Sequence, residues 1–165
     1  YLLNCSPTGC LDVVLSCAKD GENHWRQLFK DGFADQVAEQ YSFRRAEKHL
    51  SNGKVVIVAG GIGRPYFTHD TAAVNLGLEL GCDAVLKATK VDGVYDKDPT
   101  KFADAVKFEK LSFQQAVENE NIQVMDKAAI GLAMEQHMPV IVLDANTPGN
   151  IVRLASGEAI GTIIS

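Results

Sequence analysis

Apolar and polar positions along this chain change period several times, and each change marks an element. Over residues 37–50 the apolar Phe43, Ala46 and Leu50 recur at helical spacing, with Arg44, Arg45 and Lys48 on the remaining faces. This predicts an amphipathic helix. Asn52-Gly53 stops it, because glycine readily takes the left-handed conformation that follows a last turn. Residues 54–59 are dominated by β-branched side chains, the pattern of a strand buried on both faces. A turn at 60–65 leads to a helix capped by Thr68 or Asp70 and running to about residue 80, with Ala72, Leu76 and Leu80 at helical spacing. Gly81 ends that helix and 83–88 reads as a second strand, so 54–88 is expected to form a βαβ unit.

A loop rich in Lys, Asp, Gly and Pro follows at about 89–104. Helical stretches near 112–119 and 124–137, a buried-type strand at 139–143, a short helix near 149–155 and a strand at 161–165 complete the chain. This alternation predicts an α/β fold with a largely parallel sheet. Residues 1–32 do not join it. Their periodicity is weak, and Trp25, Phe29 and Phe33 mark at most a short amphipathic helix. The chain therefore divides into an atypical segment, 1–34, and a domain, 35–165, with no internal repeat or low-complexity tract.

Composition narrows the class. Of 165 residues, 46% are hydrophobic and 22% charged, as in ordinary globular domains. A net charge of −5 with scattered Lys and Arg argues against nucleic acid as a partner but leaves room for a small anionic ligand. No apolar run approaches the roughly 20 residues that span a bilayer, so no membrane association is expected. The chain opens on Tyr1 rather than Met, the mark of a fragment or processed product, and lacks the basic and apolar regions of a signal peptide. Cys5, Cys10, Cys17 and Cys82 form no C-x-x-C pair, and no His cluster completes a zinc set. Reduced thiols in a cytoplasmic compartment, and no protein-bound metal, are the expectation.

Two loops carry candidate chemistry. The first is Gly60-Gly61-Ile62-Gly63-Arg64-Pro65-Tyr66-Phe67-Thr68-His69-Asp70, between a strand and a helix. Glycines there let backbone amides approach an anion, and the helix N-terminus adds partial positive charge. It is not a Walker A loop, since no Gly-Lys-Ser/Thr follows, and Tyr66 stands where a dinucleotide fingerprint needs its third glycine. A tight turn without a ligand fits it equally. The second loop, 86–99, leaves the carboxyl end of a strand, where open α/β sheets bind ligands. Thr89 offers a hydroxyl, Lys90 a cation, Tyr95 an aromatic face and Asp98 an acceptor, a set suited to a nucleotide. A solvated loop with Asp-Gly and Asp-Pro turns is the alternative.

Taken together, Val-Val-Ile-Val-Ala-Gly-Gly-x-Gly-x-Pro-Tyr-Phe-Thr-x-Asp-Thr-Ala-Ala at 55–73 and Leu-Lys-Ala-Thr-Lys-Val-Asp-Gly-Val-Tyr-x-x-Asp-Pro at 86–99 resemble the uridylate (UMP) kinases of bacterial and plastid type. These belong to the amino-acid-kinase superfamily. Val124-Met125-Asp126, Gly157-Glu158 and Gly161-Thr162 fit the same resemblance, which covers about 35–165. It implies the carboxy-terminal part of an amino-acid-kinase fold: a mostly parallel sheet sandwiched by helices, with the family's amino-terminal strands missing. It implies the reaction UMP + ATP → UDP + ADP, in pyrimidine nucleotide biosynthesis, with Mg²⁺ accompanying ATP. By resemblance Gly61, Ile62, Gly63, Arg64, Pro65, Tyr66, Phe67, Thr68 and His69 would contact UMP, while Thr89, Lys90, Tyr95 and Asp98 would hold ATP. Asp70 and Asp126 match acidic positions near the transferring phosphoryl group, where they would orient Lys side chains or Mg²⁺; Asp70 otherwise reads as a helix cap. Such kinases form hexamers, which implies a homo-oligomer, in the cytoplasm or alternatively a plastid.

The chain departs from that pattern in four places. Ile62, Arg64 and His69 stand where the family usually has Thr, Asn and Thr, and the family's Lys-x-Ser-Gly loop is not recognisable in 1–32. Two other readings follow: a non-catalytic nucleotide-binding or subunit-interaction module, and a sister kinase acting on an amino acid or carbamate. The stretch 65–73 speaks for the UMP branch. Missing strands are expected to leave a sheet edge unpaired and apolar surface exposed, giving a weakly stable or self-associating piece.

Overall fold

The computed structural model describes residues 2–5, 11–17, 39–59, 61–119, 122 and 124–165. Among them the first elements are β1 (Leu2–Cys5), β2 (Leu11–Cys17), α1 (Phe43–Ser51), β3 (Val56–Ala59), α2 (His69–Glu79) and β4 (Ala84–Thr89). Then come β5 (Val94–Tyr95), β6 (Lys107–Phe108), β7 (Lys110–Leu111), α3 (Phe113–Glu118) and α4 (Lys127–Glu135). The chain closes with β8 (Val140–Asp144), α5 (Asn150–Ala155) and β9 (Thr162–Ile164).

Seven strands form one sheet in the order β3-β2-β1-β4-β8-β9-β7, and β5 pairs with β6 in a separate ribbon. β2 and β3 are parallel, as are β4 and β8, while β1 lies antiparallel between β2 and β4. Strands β2, β3, β4 and β8 therefore all point one way. β9 runs antiparallel to β8 and parallel to β7.

Alternation along the central strands gives the sheet two apolar faces. Val85 of β4 and Val140 and Val142 of β8 pack with Val74, Ala129, Ile130 and Ala133 from α2 and α4. Leu86 and Leu143 turn the other way, towards Ile151 and Leu154 of α5. Each fully buried aliphatic side chain contributes about 1.5–3 kcal/mol relative to exposure. The sheet is thus covered on both sides around β4 and β8, as the α/β pattern requires.

Caps account for the helix boundaries. Thr68 caps α2, Asp126 caps α4, and Ser112 with Gln115 forms a capping box on α3. The helix expected over 37–50 begins instead at Phe43, where Ser42 supplies the cap and Glu39–Tyr41 stay non-helical; residues 37 and 38 lie outside the described residues. Its stop at Asn52-Gly53 is as expected, with Gly53 at φ 69°.

Further expectations are corrected. Residues 1–32 were expected to stand apart, yet β1 and β2 occupy the middle of the sheet between β3 and β4. The expected βαβ unit, β3-α2-β4, consequently joins two strands that point the same way but are not neighbours. The amphipathic helix around Trp25, Phe29 and Phe33 lies outside the described residues. β3 is not buried on both faces: Val58 is 7% exposed but Val55 and Ile57 are 55% and 68% exposed. Among the described residues β3 stands at one end of the sheet, with a neighbouring strand on its β2 side alone. Finally, the stretch 89–104 is not all loop, since it contains β5, which finds its partner β6 beyond it.

Gly161 tests how tightly β9 is held against β8. It sits at φ 81°, and a Cβ there would lie 2.2 Å from the Val142 carbonyl oxygen. Gly161→Ala should cost on the order of 2–4 kcal/mol through strain and overpacking, measured by urea unfolding. A variant as stable as the parent would mean that the strand can retreat.

Candidate functional site

The turn after β3 needs left-handed backbone at Gly61 and Gly63, φ 62° and 68°, before it reaches Thr68. Tyr66 takes the same region at φ 68°, an uncommon state for a residue with a Cβ. From Thr68 onward side-chain oxygens organise the site. The Thr68 hydroxyl accepts from the amides of Asp70 and Thr71 at 3.2 and 3.3 Å and donates to the Asp126 carboxylate. Thr71 donates its own hydroxyl to Asp126 at 3.2 Å. Asp126 in turn accepts the amides of Ala128 and Ala129 at 2.9 and 3.0 Å. One carboxylate therefore caps α4 and grips the first turn of α2. Burial by itself would raise its pKa. The hydrogen bonds, Thr68 first, outweigh burial and hold the group below the usual carboxylate range.

Asp70, in the first turn of α2, forms an ion pair with Lys87 of β4. The two side chains are 22% and 28% exposed, partly shielded from solvent screening. Lys87 shares its strand face with Val85 and Thr89 by the two-residue period, and that face meets α2. Thr89 lies opposite Asp144 at the carboxyl ends of β4 and β8.

The residues expected to hold ATP follow β4 and bond among their own neighbours. The Thr89 hydroxyl donates to the Val91 carbonyl at 2.8 Å and accepts the Val91 amide at 3.1 Å. Tyr95 donates to Asp92 at 2.7 Å, and the other Asp92 oxygen pairs with Lys107 at 2.9 Å. The Lys107 and Tyr95 hydrogen bonds, in that order, keep Asp92 low, while Asp92 pushes the Tyr95 phenol up. Asp98 accepts from the hydroxyl and amide of Thr100 at 2.6 and 2.9 Å and pairs with Lys101 at 3.2 Å. The Thr100 hydroxyl is the leading reason why Asp98 titrates below the usual range. Lys90 is exposed. Thr89 stands two residues after Lys87 on the same face of β4, so this group begins next to the Asp70–Lys87 pair.

The residues expected to contact UMP divide three ways. Gly61 and Ile62 line a cavity of about 150 Å³ with Tyr41, Val58, Asn75, Leu76 and Glu79. Arg64, Pro65, Tyr66, Phe67 and His69 face solvent with Gly63. Thr68 alone joins the carboxylate cluster. At the far wall of the cavity Tyr41 donates to Glu79 at 2.6 Å, and partial burial, then Glu79, pushes its phenol up.

Residues 15–144 match the amino acid kinase family. The chain belongs to that family. It is similar to a uridylate kinase of Sulfurimonas denitrificans, 52% identical over 118 residues, which are 72% of this chain and 49% of the relative. This amino acid kinase chain thus spans about half the length of that curated relative. Among solved structures, UMP kinase from Bacillus anthracis superposes with a TM-score of 0.76 at 36% identity, over 93% of this chain and 58% of the other. UMP kinase from Ureaplasma parvum gives 0.74 at 29% identity, over 93% and 60%. Uridylate kinase from Archaeoglobus fulgidus gives 0.66 at 28% identity, over 93% and 85%.

Two members of this amino acid kinase site were not singled out from the sequence, Lys87 and Thr71. The signal for Lys87 was present: a lone cation inside the apolar strand 84–88 needs a partner. Thr71 reads as an ordinary helical residue until α4 is brought beside it. Among the described residues no group of three or more His, Cys, Asp or Glu is arranged to hold a metal. Asp126→Ala should destabilise the fold by about 2 kcal/mol at neutral pH, since a cap and two hydroxyl partners are lost. Because the folded pKa is depressed, that contribution is present above the unfolded value near ~3.9 and fades as pH falls through the folded one. Unfolding curves of parent and variant should therefore converge in acid; a gap that persists at low pH would refute the charge-based account.

Proposed function

We propose that this chain forms the nucleotide-holding part of a UMP kinase, which moves the γ-phosphoryl group of ATP to UMP. The observation that carries the reading is the Asp70–Lys87 pair set beside the N-termini of α2 and α4, next to the glycine turn. Phosphoryl transfer is accelerated mainly by positioning and by charge placed where the transferring group develops it. Lys87 is the cation for that group, and Asp70 holds it in reach. Asp126 keeps the two helix ends together, and its hydrogen bonds favour the ionised form.

UMP takes the turn at 61–69, where amides of Gly61 and Gly63 and the Arg64 guanidinium offer donors to phosphate. Thr89, Lys90, Tyr95 and Asp98 take ATP. Mg²⁺, arriving on the triphosphate, supplies charge neutralisation and needs few protein ligands; Asp70 is the carboxylate suited to meet it. The likeness to uridylate kinases supports UMP as the acceptor. The exposed Val55 and Ile57 on the sheet edge support self-association, and the reading implies a cytoplasmic or plastid supply of both nucleotides.

The test is UMP-dependent formation of ADP from Mg·ATP by the purified chain, with CMP and no acceptor as controls. Turnover specific to UMP is expected. Lys87→Met should lower kcat by about 100- to 1,000-fold with little change in KM, the scale seen when one charge-stabilising donor is removed. A folded chain without turnover would sink the catalytic reading and leave a nucleotide-binding module.

A further inference from the structure

The ribbon β5–β6 has two residues in each strand, too few to persist unaided, yet it carries Tyr95. What seats it is a side chain from the main sheet. Thr162 of β9 is completely buried, 0% exposed. Its hydroxyl accepts the Val94 amide at 2.9 Å and donates to the Phe108 carbonyl at 2.5 Å. Val94 and Phe108 are the residues paired across the ribbon, so one hydroxyl grips both strands at one register position. A buried amide and carbonyl would otherwise lack partners there. Space around the joint is equally specified: a Cβ on Gly93 would lie 2.6 Å from both the Thr162 hydroxyl oxygen and Lys107 Cε. Lys107 then continues past Gly93 to Asp92, the acceptor of the Tyr95 hydroxyl. Position therefore passes from β9 through Thr162 to the ribbon, and from the ribbon to Tyr95 and the turn bearing Asp98.

We propose that Thr162 is a positioning residue for the donor nucleotide, setting where the ribbon presents Tyr95 and Asp98. This rests on the assignment of the 89–98 segment to ATP. It touches no part of the acceptor turn, so its removal should separate the two substrates.

The experiment is calorimetric titration of the chain with Mg·ATP and with UMP, for the parent, Thr162→Val, Thr162→Ser and Tyr95→Ala. Thr162→Val keeps the shape but neither donates nor accepts. Its ATP affinity should fall about tenfold, equivalent to about 1.4 kcal/mol, with UMP affinity unchanged, and Thr162→Ser should restore it. A folded Thr162→Val chain with parental ATP affinity would overturn the proposal. So would an equal loss for both nucleotides alongside a lowered Tm, since that is general destabilisation. If Thr162→Val does not fold, Gly93→Ala disturbs the joint from its other side and must show the same selective loss. Unchanged ATP affinity in Tyr95→Ala would remove the donor-site assignment itself, whereas loss there without loss in Thr162→Val removes only the role of Thr162.

Discussion

Two helices begin side by side in this protein, and each brings roughly half a positive charge and unpaired amides to the same place. Left alone, two such ends repel. Asp126 resolves the conflict by serving both: its carboxylate caps α4 through two amides and accepts the hydroxyls of Thr68 and Thr71 from α2. The rest of the site depends on that shared anion. With α2 fixed, Asp70 lies over Lys87, and the glycine turn that enters α2 is fixed with it. The carboxylate neutralises part of the converging charge but leaves amides and a lysine nearby, an environment suited to a phosphate group.

The sheet supplies the other half of the arrangement. Lys87 is tolerated in an otherwise apolar strand because its face meets the first turn of α2, where Asp70 partners it. One residue earlier, Leu86 is 2% exposed on the opposite face beneath α5. A shift of one register position would exchange the two, burying the cation under α5 and separating it from its partner. The buried alternation of Val85, Leu86, Val140 and Leu143 thus fixes the electrostatics of the site as well as the stability of the core.

Departures from the family pattern fall at places with different physical weight. Ile62 lines the cavity beside Val58 and Leu76 as well as Tyr41, Asn75 and Glu79, where its aliphatic side chain packs without needing a hydrogen-bond partner. Arg64 and His69 face solvent, where the Arg64 guanidinium charge and the ring nitrogens of His69 are open to hydrogen bonding. The segment following β4 is held by short-range bonds, Thr89 to Val91, Tyr95 to Asp92 and Asp98 to Thr100, which preset its shape.

What the sequence determined by itself was local. The cap at Thr68, the stops at Gly53 and Gly81, and the apolar strands β4 and β8 were legible because each depends on neighbours within a few residues. The glycine turn and the 86–99 segment were legible as candidates for the same reason. What the tertiary structure decided lies far apart along the chain. Thr68 and Asp126 are 58 residues apart, and Thr162 is 68 residues from Val94. No periodicity encodes such partners, since they meet only when packing of α2 on α4 and of β8 on β9 brings them together. β1 and β2 entered the sheet against a weak pattern, and β3 proved one-sided, because pairing order and coverage are properties of the whole sheet. The sequence names the groups that can hold a phosphate; the packed sheet and helices decide which of them stand together.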